Sequence, residues 1–146
     1  MKHRKALVIF AAILAMTLGS FGPGYAIQWA WPDGEDHPYV GMLVTDTDGV
    51  PTWRCSGVLI APRVFLTAAH CTYGTNGGRV WFDTDMSDNT EYPYGGETSI
   101  EGTPHTHPGY DGTLAFPNPS DLGVVILDET VEDRGFGVLP SIGLAE

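Results

Sequence analysis

Trp53-Arg54-Cys55-Ser56-Gly57-Val58-Leu59-Ile60-Ala61-Pro62-Arg63-Val64-Phe65-Leu66-Thr67-Ala68-Ala69-His70-Cys71 is the most informative stretch of this 146-residue chain. Thr52 to Ile60 reads as a strand, with an aromatic and several apolar residues in extended-favouring order. Ala61-Pro62-Arg63 is a turn, and Val64 to Thr67 is a second short strand. Ala68-Ala69-His70-Cys71 fits one helical turn, with Thr67 placed to cap it. Upstream, Tyr39 to Asp46 is another strand candidate. The turn signal Thr47-Asp48-Gly49 separates it from Thr52 to Ile60, so the two are expected to form a hairpin across a Gly-containing loop.

The rest of the chain has the same texture. Its 19 glycines and 11 prolines cut it into short pieces. No long segment carries a clean apolar period of 3.6, which argues against long helices. Arg79 to Phe82 and Glu97 to Thr103 are further strand candidates, the second a weak one. Leu122 to Leu127 is a continuous aliphatic run, as expected for a strand buried on both sides or in a small barrel. Many short strands with frequent turns predict an all-β sandwich or barrel. No internal repeat is visible. Arg134 to Glu146 is punctuated by Gly and Pro and reads as a linker leaving a domain.

The first 26 residues read differently. Met1-Lys2-His3-Arg4-Lys5 is basic, Ala6 to Leu18 is apolar apart from Thr17, and Gly19 to Ala26 is rich in small and turn residues. That order matches a secretory signal peptide, with cleavage expected near Ala26–Ile27. An uncleaved anchor is the alternative, but the apolar run is shorter than the ~20 residues needed to span a bilayer. Residues 1–26 hold three of the seven Lys+Arg and none of the 18 Asp+Glu, so the remainder carries four bases against 18 acids, a net charge of −14. Such a chain repels phosphate backbones, and nucleic-acid partners are not expected. After cleavage no membrane association is expected, and the protein should be extracellular.

The chain has two cysteines, Cys55 and Cys71. An exported chain meets an oxidising compartment, so one disulfide is expected, with two free thiols as the alternative. His70 beside them can take and return a proton near neutral pH. The segment from Cys55 to Cys71 resembles the histidine-active-site region of the trypsin/chymotrypsin family of serine proteases. There a Cys-Ser-Gly strand leads through a hairpin to Leu-Thr-Ala-Ala-His-Cys. The resemblance implies that His70 is the general base and that Cys55–Cys71 pins its turn. Asp121-Leu122-Gly123-Val124-Val125-Ile126-Leu127 is similar to the family's Asp-Ile-Ala-Leu-Leu-x-Leu strand, whose aspartate orients the histidine. An acid opening a buried strand is costly unless paired, and an imidazole N–H is an apt partner. His107-Pro108-Gly109-Tyr110 looks like the His-Pro-x-Tyr stretch that precedes this aspartate in the family.

Rival readings concern metals. His105 and His107 could share one face of a strand, but no further His or Cys clusters nearby, and no metal or other cofactor is expected. Asp83-Thr84-Asp85-Met86-Ser87-Asp88-Asn89-Thr90-Glu91 is rich in oxygen donors. It lies roughly where some relatives hold calcium, yet it is not an EF-hand, since Asp88 and Tyr94 stand where that loop requires Gly and Glu. A solvated acidic turn is the expected reading.

The family's Gly-Asp-Ser-Gly-Gly block is not found. Ser20, Ser56, Ser87, Ser99, Ser120 and Ser141 lack its neighbours, and none sits in Gly-x-Ser-x-Gly. The resemblance implies a double β-barrel with the site between the barrels. Residues 27–133 are expected to form the N-terminal six-stranded barrel and residues 134–146 the start of the inter-barrel connector, the second barrel being absent. The expected function is secreted serine endopeptidase, acting on protein or peptide substrate in the full-length enzyme. This chain carries the His and Asp without the Ser and is expected to be inactive alone. The alternatives are a non-catalytic pseudoprotease or binding module, and one half of a split protease.

Overall fold

The computed structural model describes residues 33–113, 120–141 and 143. The expected signal peptide and its cleavage point lie outside the described residues. Residues from Asp33 onward form their own compact unit.

Among its described residues that unit has six strands: β1 (Val40–Thr47), β2 (Val50–Ala61), β3 (Val64–Thr67), β4 (Gly77–Trp81), β5 (Ile100–Thr106) and β6 (Gly123–Leu127). They close into a barrel in the order β1-β2-β3-β6-β5-β4, and every neighbouring pair is antiparallel. Closure leaves no sheet edge unpaired. Among the described residues the one helical turn, α1 (Ala69–Thr72), follows β3.

The expected β1–β2 hairpin forms across Asp48-Gly49, both in the left-handed region with φ of 54° and 78°. Two consecutive positive φ values match the twist of the flanking strands, and Asp-Gly adopts them at low cost. The weak fifth candidate forms later than expected, over Ile100–Thr106 rather than Glu97–Thr103. Glu97 and Thr98 are drawn off into a polar loop, where the Thr98 hydroxyl donates to Asp83.

Leu43, Leu59, Phe65, Val80, Phe82, Val125 and Leu127 fill the barrel and pack with Cys71 and Val131. β6 resolves the ambiguity of its aliphatic run. Gly123, Val125 and Leu127 point inward and are buried, while Val124 and Ile126 are half-covered on the outer face. Glycine at 57 is forced by this packing: a Cβ there would land on the Phe65 ring and the Leu66 carbonyl.

A second buried layer lies outside the barrel wall. Val44 and Trp81 are fully buried but alternate with the inward-facing Leu43 and Val80. The Tyr92 ring of the loop after β4 meets Trp81 edge-on at 5.5 Å, and the Arg54 guanidinium lies over the Tyr92 ring at 5.6 Å. In the same outer layer Arg79 donates to the buried Asp46 carboxylate at 2.8 Å. Asp133 to Ser141 has no regular secondary structure, although the Gly137 amide donates to the Leu59 carbonyl.

Candidate active site

The site is built where β3, α1 and the start of β6 meet. β3 ends at Thr67, and the chain turns through Ala68, whose extended backbone (φ −88°, ψ 152°) precedes the helical turn. The expected cap is not made: Ala68 occupies the capping position without a side-chain bond, and the Thr67 hydroxyl instead donates to the Ser56 carbonyl on β2. Thr67 is still the last residue of a barrel strand, so its side chain is committed to the wall.

Four residues cannot hold a helical turn by their own ladder. Side chains supply what is missing. Cys71 is disulfide-bonded to Cys55, with 6.3 Å between their Cα atoms, which ties α1 to β2. The buried Thr45 hydroxyl on β1 donates to the Cys71 carbonyl at 2.7 Å. Thr75 donates to the Thr72 carbonyl at 2.8 Å, and Thr72 to the Ala69 carbonyl at 3.1 Å. Threonine hydroxyls thus add donors to the carbonyls of the turn, beside the backbone amides of Tyr73 and Thr75.

His70 projects from this turn toward Asp121, which lies 51 residues away in sequence. Its backbone amide donates to Asp121 Oδ1 at 2.9 Å. Its ring Nδ1 lies 2.9 Å from Oδ2 and 3.2 Å from Oδ1. One carboxylate therefore fixes both the backbone and the ring of His70. A carboxylate accepts, so the proton of the neutral ring sits on Nδ1, and Nε2 keeps its lone pair. The His70 side chain is 40% exposed and that of Asp121 29%, so the ring reaches solvent while its anchor is more sheltered. Burial pushes the Asp121 carboxyl up, but the bonds from the His70 ring and amide, the charge of His70 and the Ala69 amide outweigh it. The net effect holds Asp121 below its ordinary value.

Tyr110 lies within electrostatic reach of Asp121. It is buried, and its ring meets Tyr73 edge-on at 5.4 Å. Burial, then the charges of Asp121 and Asp111 and the neighbouring Tyr73, raise its phenol above the usual value.

The two metal readings fare differently. His105 and His107 are both exposed, and His107 Nδ1 accepts the Gly109 amide at 3.0 Å. Among the described residues, Cys55, His70 and Cys71 bring ligand-type atoms within 4.8 Å of one another, but both sulfurs are spent in the disulfide. The acidic loop after β4 surrounds an open cleft of about 370 Å³, lined by Asp83, Asp85, Asp88, Glu91 and Glu97. Within it the Ser87 amide donates to Asp85, and the Thr98 hydroxyl to Asp83.

A model of the trypsin family matches residues 32–136, which takes in β1 through β6, His70 and Asp121. The chain belongs to the trypsin family. Its closed antiparallel barrel corresponds to one barrel of the chymotrypsin fold. Among solved structures it is similar to HL collagenase, at 18% identity and a TM-score of 0.47 over 74% of this chain. The match covers 43% of the collagenase chain, so this sequence spans less than half of that structure. No curated protein matches. Among the described residues no helix is long and apolar enough to cross a membrane.

Sequence reasoning located His70 and Asp121, and the structure brings them together. It passed over Thr45 and Thr106 on strands and Thr72 in the turn itself, whose hydroxyls hold the turn, because isolated threonines carry no distinctive spacing. Gly123 did carry a signal. A glycine inside an otherwise aliphatic strand marks a close approach of another segment, and here that segment is α1.

Proposed function

We propose that this chain supplies the general base and its orienting acid to a secreted serine endopeptidase. His70 and Asp121 are then two members of a Ser-His-Asp triad, and the nucleophilic serine comes from outside these 146 residues. The observation that carries this reading is the double grip of one carboxylate on His70, through its amide at 2.9 Å and its ring Nδ1 at 2.9 Å. A surface histidine needs no such restraint. A base that must meet a nucleophile at roughly 3 Å does.

In this mechanism Nε2 takes the serine proton as Oγ attacks the substrate carbonyl, and Asp121 stabilises the imidazolium that forms. The proton then passes to the departing amine, leaving an acyl-enzyme. Water repeats the sequence in reverse and releases the acid. On this reading residues 1–26 are the signal peptide, 27–133 the N-terminal barrel, and 134–146 the start of a connector to a second barrel that carries the serine, oxyanion donors and specificity pocket. The Cys55–Cys71 disulfide supports an extracellular location.

The test is hydrolysis of peptide esters, with labelling by a serine-directed phosphonate. The 146-residue chain alone is expected to do neither. Joined to a trypsin-type second barrel it should do both, and His70→Ala should abolish turnover in the joined protein. Labelling of the chain alone, or turnover that survives His70→Ala, overturns the proposal.

A further inference from the structure

The turn that carries His70 is moored on three sides among the described residues. The disulfide ties it to β2, and Thr45 ties it to β1. Neither tie bears on β6, the strand that Asp121 leads into. The third does. Thr72 is buried, and its Oγ1 lies 2.8 Å from Thr106 Oγ1 at the end of β5. A hydroxyl has one proton. With that of Thr72 given to the Ala69 carbonyl, Thr106 donates across the contact.

Thr106 is the cross-strand partner of Gly123 on β6, and Thr67 flanks Gly123 on the other side. A Cβ at Gly123 would stand 2.7 Å from Thr72 Oγ1 and 2.8 Å from the Ala68 carbonyl. Real Cβ atoms do not approach so closely, so the turn rests directly on the bare backbone of β6. Thr72 is two residues beyond His70, and Gly123 is two residues beyond Asp121. The spacing between these two segments therefore sets the reach between the His70 ring and the Asp121 carboxylate.

We propose that Thr72, held by Thr106 and seated on Gly123, is a positioning residue for the His70–Asp121 pair. Its catalytic meaning rests on the reading of His70 as the base, but its geometric effect does not. Thr72→Val keeps the shape and removes the hydroxyl, leaving Thr106 without its partner. Thr72→Ser keeps the hydroxyl.

The experiment is amide hydrogen exchange on the 146-residue chain, followed by NMR. In Thr72→Val the His70 amide is expected to exchange about tenfold faster, the size of effect that follows when one buried hydroxyl loses its partner. Thr72→Ser should return it to the parent rate. The amides of Leu43 and Val80 in the barrel should not respond to either change. An unchanged His70 amide in Thr72→Val overturns the proposal. So does acceleration of all amides together, because that is the signature of a merely stabilising residue. Should Thr72→Val fail to fold, Thr106→Val removes the same bond from the partner side and carries the same expectations. In the protein joined to a second barrel, Thr72→Val should lower kcat about tenfold with KM unchanged, by the same hydrogen-bond loss. A faster His70 amide with unchanged kcat upholds the positioning role and overturns the catalytic reading of His70.

Discussion

Asp121 and Asp85 are both held below their ordinary pKa, and they sit in regions of opposite construction. Asp85 is exposed, and its donor is the Ser87 amide two residues on, at 2.8 Å. Asp121 takes its donors from His70, 51 residues earlier in the chain. Around Asp85 the loop bonds to its own near neighbours and leaves an open polar cleft. Around Asp121 the barrel, a disulfide and several threonines converge on one side chain. A lowered carboxylate is thus a poor sign of function by itself. The sequence distance of the groups that lower it is a better one, because only a folded barrel can bring them together.

The largest break in this comparison should come from the disulfide. Replacing Cys55 and Cys71 together by Ser frees the segment between them, and a loop of this length predicts a loss of about 3 kcal/mol in the chain-entropy model. Denaturant unfolding measures the loss. Amide exchange should show where it falls: His70 loses protection, while Ser87, whose bond to Asp85 is local, keeps its parent behaviour. Equal loosening of both regions would show that the bridge stabilises the barrel generally and does not serve the turn.

Gly123→Ala is a narrower blow to the same region. The new methyl meets Thr72 Oγ1 and the Ala68 carbonyl, and the second is backbone that cannot rotate away. Overpacking of this kind costs about 1–3 kcal/mol. Thermal or denaturant unfolding of the variant checks the figure. A neutral substitution would mean that α1 can lift from β6 freely, and the close seat would lose its significance.

These predictions also mark how far the sequence could be read. The strands, to within a few residues, and the hairpin turn were legible because each is written in a local pattern of apolar runs or Asp-Gly, whereas the pairing of His70 with Asp121, 51 residues apart, was legible only through the family resemblance of the two segments. Strand pattern alone left closure as one of two options, since alternating strands make sandwiches as readily; the family resemblance singled out the six-stranded barrel, and that barrel forms. What stayed hidden was long-range and chemically plain. Thr45 and Cys71 meet across 26 positions, and Thr72 and Thr106 across 34, with no motif to join them. The outer layer of Val44, Trp81 and Tyr92 was hidden for a related reason. Alternation assigns Val44 and Trp81 to solvent, and only the path of the loop after β4 covers them. Thr67 was misread because a threonine before a helical turn satisfies the local rule for a cap, whereas the neighbouring strand offered it the Ser56 carbonyl.

The smallest effects separate the two aspartates most cleanly. A carboxyl whose folded pKa lies below its unfolded value adds stability that is fully present above the unfolded value, near pH 4, and is lost as pH falls through the lowered folded value. Asp121 meets that condition through contacts that vanish on unfolding. Asp121→Asn should therefore flatten the acid limb of the stability curve below about pH 4. Asp85 is lowered by Ser87, and an interaction across two residues persists in part in the unfolded chain. Little difference between the two states then remains to drive a pH effect. Asp85→Asn should overlay the parent curve at every pH and leave the melting midpoint where it was. The measurement is unfolding of parent and both variants across the acid range. If Asp85→Asn flattens the limb as Asp121→Asn does, the acidic loop is held by the fold as tightly as the His70–Asp121 pair, and the contrast between the two regions fails.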